Sequence, residues 1–213
     1  MKIAIIGATG GTGRHFLQLA SERGHDVTAL ARTPSKLDAG PPSVKVRRAD
    51  ARDATSLADA LDADLDAVVS IVGASGLLEA RKVTDLYSVS ASNLIEALSR
   101  KRLKRLVVVS SAGVEPQPND GWFYNNILKR FFLGPMYADM VRMEALVRAS
   151  NHDWTVVRPP YLTSGEPTGR YRVSKDANFV DDRSLRRGDL ADFLVRTVEE
   201  PDAWVRSVVR LSE

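Results

Sequence analysis

The sequence predicts an α/β protein with a doubly wound, mostly parallel sheet and helices on both of its faces. Its apolar residues alternate between short continuous runs and runs of helical period, so strand, helix and strand follow one another with short connections. That alternation favours parallel strands joined by right-handed crossovers. A glycine-rich turn lies between the first strand and the first helix. The chain has 213 residues, 44% of them hydrophobic and 27% charged, and a chain of this size buries about 70% of its unfolded surface in a single core. Residues 1–213 are therefore expected to form one domain, with no linker dividing them.

Taken in order, Lys2 to Ile6 reads as a buried strand. Arg14 to Arg23 reads as a helix with Phe16, Leu17 and Ala20 on one face and Gly24 as its C-cap. Asp26 to Ala31 and Val44 to Arg48 are the next strands. Asp53 is placed to cap a helix whose Leu57, Ala60 and Leu61 face inward. Asp66 to Val72 and Arg105 to Ser110 are further strands, separated by a long helix ending near Ser99. Glu115 to Pro135 holds three prolines, two glycines and five aromatics, which suits an irregular segment over the sheet edge. Tyr137 to Ala149 is a helix, Trp154 to Arg158 a strand, and Asp189 to Val198 a helix with Leu190, Phe193, Leu194 and Val198 on its apolar face. Trp204 to Leu211 closes the series as a strand.

Composition narrows the chemistry. The absence of cysteine excludes disulfides, thiolate nucleophiles and zinc ribbons, and points to a reducing, cytoplasmic setting. His15, His25 and His152 are far apart and form no ligand pair, so no metal is expected. Thirty Lys and Arg against 27 Asp and Glu leave a net charge of only +3. The runs RKRLKR from Arg100 and RSLRR from Arg183 lack interleaved aromatics, and read as solvated helix ends and anion contacts rather than a nucleic-acid footprint. No apolar run approaches the roughly 20 residues of a membrane span, so no membrane partner is expected.

Gly7-Ala8-Thr9-Gly10-Gly11-Thr12-Gly13 follows the first strand directly and opens the first helix. Gly7 permits the sharp exit from the strand, Gly10 lets backbone approach a pyrophosphate, and Gly13 lets helix and strand pack closely. The helix start then offers free N–H groups and partial positive charge to phosphates. In this context the turn predicts a dinucleotide. Proteins that prefer NAD place a carboxylate at the end of the second strand, but here Ala31-Arg32-Thr33 stands there, with Ser35 and Lys36 behind. Cations and hydroxyls suit a 2′-phosphate, so NADP(H) is expected over NAD(H). Asp50 is placed to accept from the adenine amino group, with Ala51 supplying backbone; alternatively it belongs to the turn that starts the next helix. Val72 and Gly73, at the end of the fourth strand, leave room for a ribose.

With these residues the chain resembles the atypical short-chain dehydrogenase/reductases, in particular their NAD(P)-binding NmrA-like group, and within it the biliverdin-IXβ/flavin reductases. The resemblance runs through GATGGTG at Gly7, Arg32, Asp50, VVVSSAG with Ser110 and Ser111, the stretch from Arg142 to Val173, and Gly188-Asp189-Leu190-Ala191. It implies a Rossmann fold with Ser111 beside the nicotinamide and the backbone of Pro159, Pro160 and Tyr161 running past it. The substrate side would be formed mainly by 115–136 and 160–188.

Ordinary members of that superfamily use a Tyr-x-x-x-Lys pair. Tyr124 stands thirteen residues after Ser111, but its i+4 residue is Leu128, and Lys129 at i+5 would point roughly 140° away on a helix. Tyr137 has Val141 at i+4. The candidate catalytic residues are thus Ser111 and Tyr124 without a lysine. An alcohol or sugar enzyme needs a positioned acid/base, whereas hydride transfer to a planar conjugated acceptor (a flavin, quinone or tetrapyrrole-like molecule) needs proximity above all. The expected function is an NADPH-dependent reductase of such an acceptor, with any flavin taken as substrate rather than kept as bound cofactor, working as a monomer or homodimer. The alternatives are a non-catalytic NADP(H)-sensing regulator and a sugar-nucleotide epimerase. Trp122, Phe123, Tyr124, Phe131 and Phe132 either wall the acceptor site or pack a core or dimer contact. Glu144 falls on the apolar helical face of Met140, Met143 and Val147, which calls for a partner such as Arg158.

Overall fold

A computed structural model describes residues 1–37, 41–73, 85–115, 134–175, 179 and 184–213. Its elements are β1 (Lys2–Ile6), α1 (Gly11–Glu22), β2 (Asp26–Ala31), β3 (Val44–Arg48), α2 (Ala54–Ala60), β4 (Ala67–Ser70), α3 (Leu86–Lys101), β5 (Arg105–Val109), α4 (Gly134–Ala149), β6 (Asp153–Arg158), β7 (Tyr161–Thr163), β8 (Arg172–Lys175), β9 (Ser184–Arg186), α5 (Arg187–Glu199), α6 (Pro201–Trp204) and β10 (Ser207–Ser212). Among the described residues the main sheet runs β3-β2-β1-β4-β5-β6-β10-β8, and β7 pairs with β9 apart from it. Every neighbouring pair in the main sheet is parallel except β10 and β8. Strand order reverses between β1 and β4, and in such sheets the crevice at the C-terminal ends of those strands is where ligands bind.

The pleat divides the core. Ile3 and Ile5 of β1 join Val27, Ala29, Val69, Val107, Val157 and Val209 on the face covered by α1 and α5, where Phe16, Leu17, Phe193 and Leu194 are buried. Ala4 and Ile6 join Leu30, Val68, Leu106, Val108 and Val156 on the face covered by α2, α3 and α4, with Leu57, Leu94, Leu98 and Met143. Alternate residues of one strand feed opposite layers, which is why these strands read as continuous apolar runs.

Asp53 caps α2 by accepting from the N–H groups of Thr55 and Ser56, and Gly24 takes φ +76° beyond α1, both as the sequence implies. Several boundaries differ, three of them for a clear physical reason. α1 begins at Gly11, because the glycine turn itself enters the helix. α4 begins at Gly134, taking in Pro135, whose missing N–H costs nothing in a first helical turn. Trp204 ends α6 rather than opening the last strand, since Pro201 starts a turn there and the indole packs edge-on against Phe193 at 5.1 Å. The basic run after α3 is largely structural: Arg100 pairs with Glu96, Arg102 takes φ +58° at the C-cap, and Arg105 is buried, donating to the carbonyls of Asp153 and Thr197. No helix among the described residues is long and apolar enough to cross a membrane.

Candidate functional site

The glycine turn closes on itself through Gly10 N–H donating to Gly7 C=O at 3.2 Å. Gly7 sits at φ +91°, and a Cβ there would lie 2.3 Å from the Ile71 carbonyl oxygen, so no other residue fits. A Cβ on Gly13 would lie 2.4 Å from Gly7 O and 2.6 Å from Ala8 Cα, the close helix–strand approach expected of it. Gly10 is different: its Cβ would meet only Gly7 O at 3.5 Å and otherwise point into open space. No side chain caps α1 and no acidic residue lies in its first turn, although Thr12 and Gly13 are buried there. The positive end of the helix dipole is left for an anion. A cradle that a Cβ at Gly10 would partly fill, before an uncapped helix start, fits a dinucleotide pyrophosphate.

A cleft of about 170 Å³ opens beside this turn at the ends of β1 to β4. Its lining brings together Gly7, Thr9, Arg32, Thr33, Lys36, Asp50, Ala51, Val72 and Gly73, all singled out from sequence. Arg32, Thr33 and Lys36 are exposed at its rim, and Arg14 steadies their turn by donating to the Lys36 carbonyl at 2.9 Å. A Cβ on Gly73 would meet nothing within 4 Å, which leaves the space a ribose needs.

Asp50 builds the turn that starts α2 and also lines the cleft. Its Oδ1 accepts from Arg52 N–H at 3.0 Å and its carbonyl from Asp53 N–H. The Ala51 carbonyl is taken by Asn93 Nδ2 at 3.2 Å, so only its N–H remains for a ligand. Lining residues not assigned to the site from sequence include the strand-end apolar Ile6, Leu30, Ala31 and Ala49, and also Arg52 and Leu86. Arg52 forks onto Asp85 at 3.0 and 3.1 Å and ties the β3 turn to the start of α3, holding that carboxyl below its usual range. Its adjacency to Asp50 was the available signal; Leu86 offered none.

At the ends of β5 and β6 the structure places Ser110, Ser111, Pro159, Pro160 and Tyr161. Ser110 N–H donates to Val157 C=O and Ala112 N–H to Pro159 C=O at 2.9 Å, stitching the two strand ends together. The Pro159 carbonyl is thereby engaged, and proline has no N–H, so Pro160 and Tyr161 carry what backbone contact remains; Tyr161 is 76% exposed. Ser111 Oγ accepts from Gly113 N–H at 3.2 Å, leaving its own proton to donate. Tyr137 lies against this turn, with its Oη 2.6 Å from where a Gly113 Cβ would be. Spacing had set Tyr137 aside, and its i+4 residue Val141 is indeed 48% exposed and apolar. Tyr124 and Lys129, like Trp122, Phe123, Phe131 and Phe132, lie outside the described residues.

Glu144 has the partner its position demands. Arg158 donates to it through Nε at 2.9 Å and Nη2 at 2.5 Å, with both residues buried. Arg158 Nη1 also meets Glu115, which accepts from Arg210 as well. Partial burial pushes the Glu115 carboxyl up, but the two guanidinium groups outweigh it and hold it below the ordinary 4.5. Such a carboxylate contributes stability above about pH 4.5 that is lost as pH falls through its depressed pKa. A cavity of about 380 Å³ borders this network, lined by Glu115, Val141, Glu144, Arg148 and Arg158 among others.

The family model described as NAD(P)H-binding matches residues 7–201. A UPF0659 protein of Saccharomyces cerevisiae, YMR090W, is 28% identical over 99% of this chain and 92% of its own. A Bacillus subtilis protein, YhfK, named as an uncharacterized sugar epimerase, is 24% identical over 97% of this chain and 92% of its own. Among solved structures, the oxidoreductase ylbE of Lactococcus lactis superposes with a TM-score of 0.81 at 23% identity, over 100% of this chain and 91% of that one.

Proposed function

Because the chain belongs to the NAD(P)H-binding family, we propose that it is an NADPH-dependent reductase of a planar conjugated acceptor such as a flavin, a quinone or a linear tetrapyrrole. The observation that carries the cofactor preference is Arg32 at the end of β2, on the cleft rim with Thr33 and Lys36 where a ribose-binding carboxylate would otherwise stand. When bound, reduced nicotinamide supplies two electrons and one hydrogen nucleus to the acceptor. The residues of this chain bind and orient: the Gly10 turn and the start of α1 take the pyrophosphate, Arg32 and Lys36 the 2′-phosphate, Asp50 and the Ala51 N–H the adenine. Ser111 donates a hydrogen bond to one acceptor oxygen, and the single proton that completes the reduction comes from water. No lysine stands four residues beyond Tyr137, which favours an acceptor needing no strong acid over an alcohol or sugar substrate. The same observation favours, as a second reading, a non-catalytic NADP(H) sensor.

NADPH oxidation measured with FMN, a quinone and biliverdin separates the two. Turnover with any of them supports the reductase; none, alongside tight NADPH binding, leaves the sensor. Arg32→Ala should weaken NADPH roughly ten- to a hundredfold, since a charge-assisted bond to phosphate is worth about 1.5–3 kcal/mol. NADH affinity should barely change. Equal weakening of both in calorimetric titrations would remove the 2′-phosphate assignment.

Ser111→Ala should slow single-turnover hydride transfer about five- to tenfold, the scale of one neutral hydrogen bond. Tyr124→Phe should be nearly silent. A proton relay would instead make both substitutions cost on the order of 10²–10⁴, and a thousandfold loss in Tyr124→Phe would mark an alcohol or carbonyl enzyme.

A further inference from the structure

Gly11 is a glycine for a reason outside its own turn. It does not have a positive φ, yet a Cβ on it would lie 2.7 Å from Cδ and 3.3 Å from Nε of Arg187, a residue 176 positions further along the chain. Arg187 is half-buried and is the first residue of α5. Its guanidinium stem therefore lies over the start of α1 while its own backbone forms the start of α5. Neither helix has a side-chain cap. The nearby carboxylates are committed elsewhere: Asp189 is wholly buried and accepts from the N–H groups of Thr168 and Gly169, and Glu166 reaches His15. No described carboxylate pairs with Arg187. The first turn of α1 carries no acidic residue, so a cation held over it adds to the positive end of that dipole, and an anion placed between them is attracted by both.

We infer that Arg187 is a binding residue for the dinucleotide pyrophosphate, closing over the phosphates from the opposite side to the Gly10 turn. This rests on the dinucleotide-site reading above. It makes the late α5 segment part of the cofactor site, and it explains the second glycine of the Gly10-Gly11 pair as space cleared for a guanidinium. An arginine there offers a planar fork matched to phosphate oxygens, which a lysine does not.

The test titrates the full-length protein with ADP-ribose, which carries the pyrophosphate without a 2′-phosphate, and with 2′-AMP, which carries the reverse. Arg187→Ala should weaken ADP-ribose, NADH and NADPH alike, by about ten- to a hundredfold, and leave 2′-AMP unchanged. Arg187→Lys should fall between. Gly11→Ala, by displacing the guanidinium, should weaken ADP-ribose in the wild-type background and add little to Arg187→Ala. Unchanged ADP-ribose affinity in a folded Arg187→Ala variant, or equal loss of 2′-AMP, would overturn the assignment while the dinucleotide site stands. Failure of the wild-type protein to bind ADP-ribose or NADPH would instead sink the site reading, and this inference with it.

Discussion

Gly10→Val is expected to give a folded protein that no longer binds NADPH. Gly10 has φ −75° and ψ 166°, a conformation a β-branched residue adopts without strain. The protein around it also leaves room, since a Cβ meets only the Gly7 carbonyl oxygen at an ordinary 3.5 Å. On the proposed reading the two valine methyls enter the space a pyrophosphate needs, so several charge-assisted bonds to backbone N–H groups would be lost together. At about 1.5–3 kcal/mol each, two of them account for a loss of more than a hundredfold. The neighbouring glycines sharpen the contrast. A side chain on Gly7 or Gly13 runs into backbone at 2.3–2.4 Å, so those substitutions damage the fold and say nothing about the ligand. Circular dichroism and a thermal melt establish that the valine variant is folded, and calorimetry reads the binding. A folded variant that binds NADPH undiminished would remove the phosphate role of this turn.

The cleft beside the glycine turn was legible because several of its lining residues lie just past the end of a strand. Gly7, Arg32, Asp50 and Gly73 follow β1, β2, β3 and β4, and parallel strands in one sheet bring their C-terminal ends to one edge whatever the exact register. Legibility stops where position depends on packing between distant segments. Arg187 reaches Gly11 only because α5 lies beside α1, and Asn93 takes the Ala51 carbonyl only because α3 passes the β3 turn. β7, β8 and β9 are three or four residues long with mixed burial, too short for a period to register. Tyr137 shows the weakness of a spacing template in the other direction. Lacking a lysine at i+4 it was discarded, yet α4 carries it against the turn after Ser111.

Glu144→Ala should be the most destabilising substitution near the candidate substrate side while leaving chemistry nearly intact. Glu144 and Arg158 form a two-point bond between side chains only 5% and 6% exposed. Removing one member of a buried pair costs about 3–5 kcal/mol, because the other is left desolvated. Glu115 still meets Arg158 from its exposed side, so the lower end is expected, about 3 kcal/mol, or roughly 6–12 °C in melting temperature for a chain of this size. Replacing both members, as Glu144→Leu with Arg158→Met, should recover a large part of that loss, since the desolvated charge disappears with its partner. Turnover assayed well below the melting transition should stay within about twofold of wild type, because the carboxylate is occupied by a guanidinium fork and is not placed to exchange protons. The two readouts separate its roles: a fall in melting temperature with turnover preserved belongs to a structural pair. A stable Glu144→Ala variant with turnover reduced on the order of 10²–10⁴ would make Glu144 the acid of the reaction, and would move the substrate from the conjugated acceptors to those that need one.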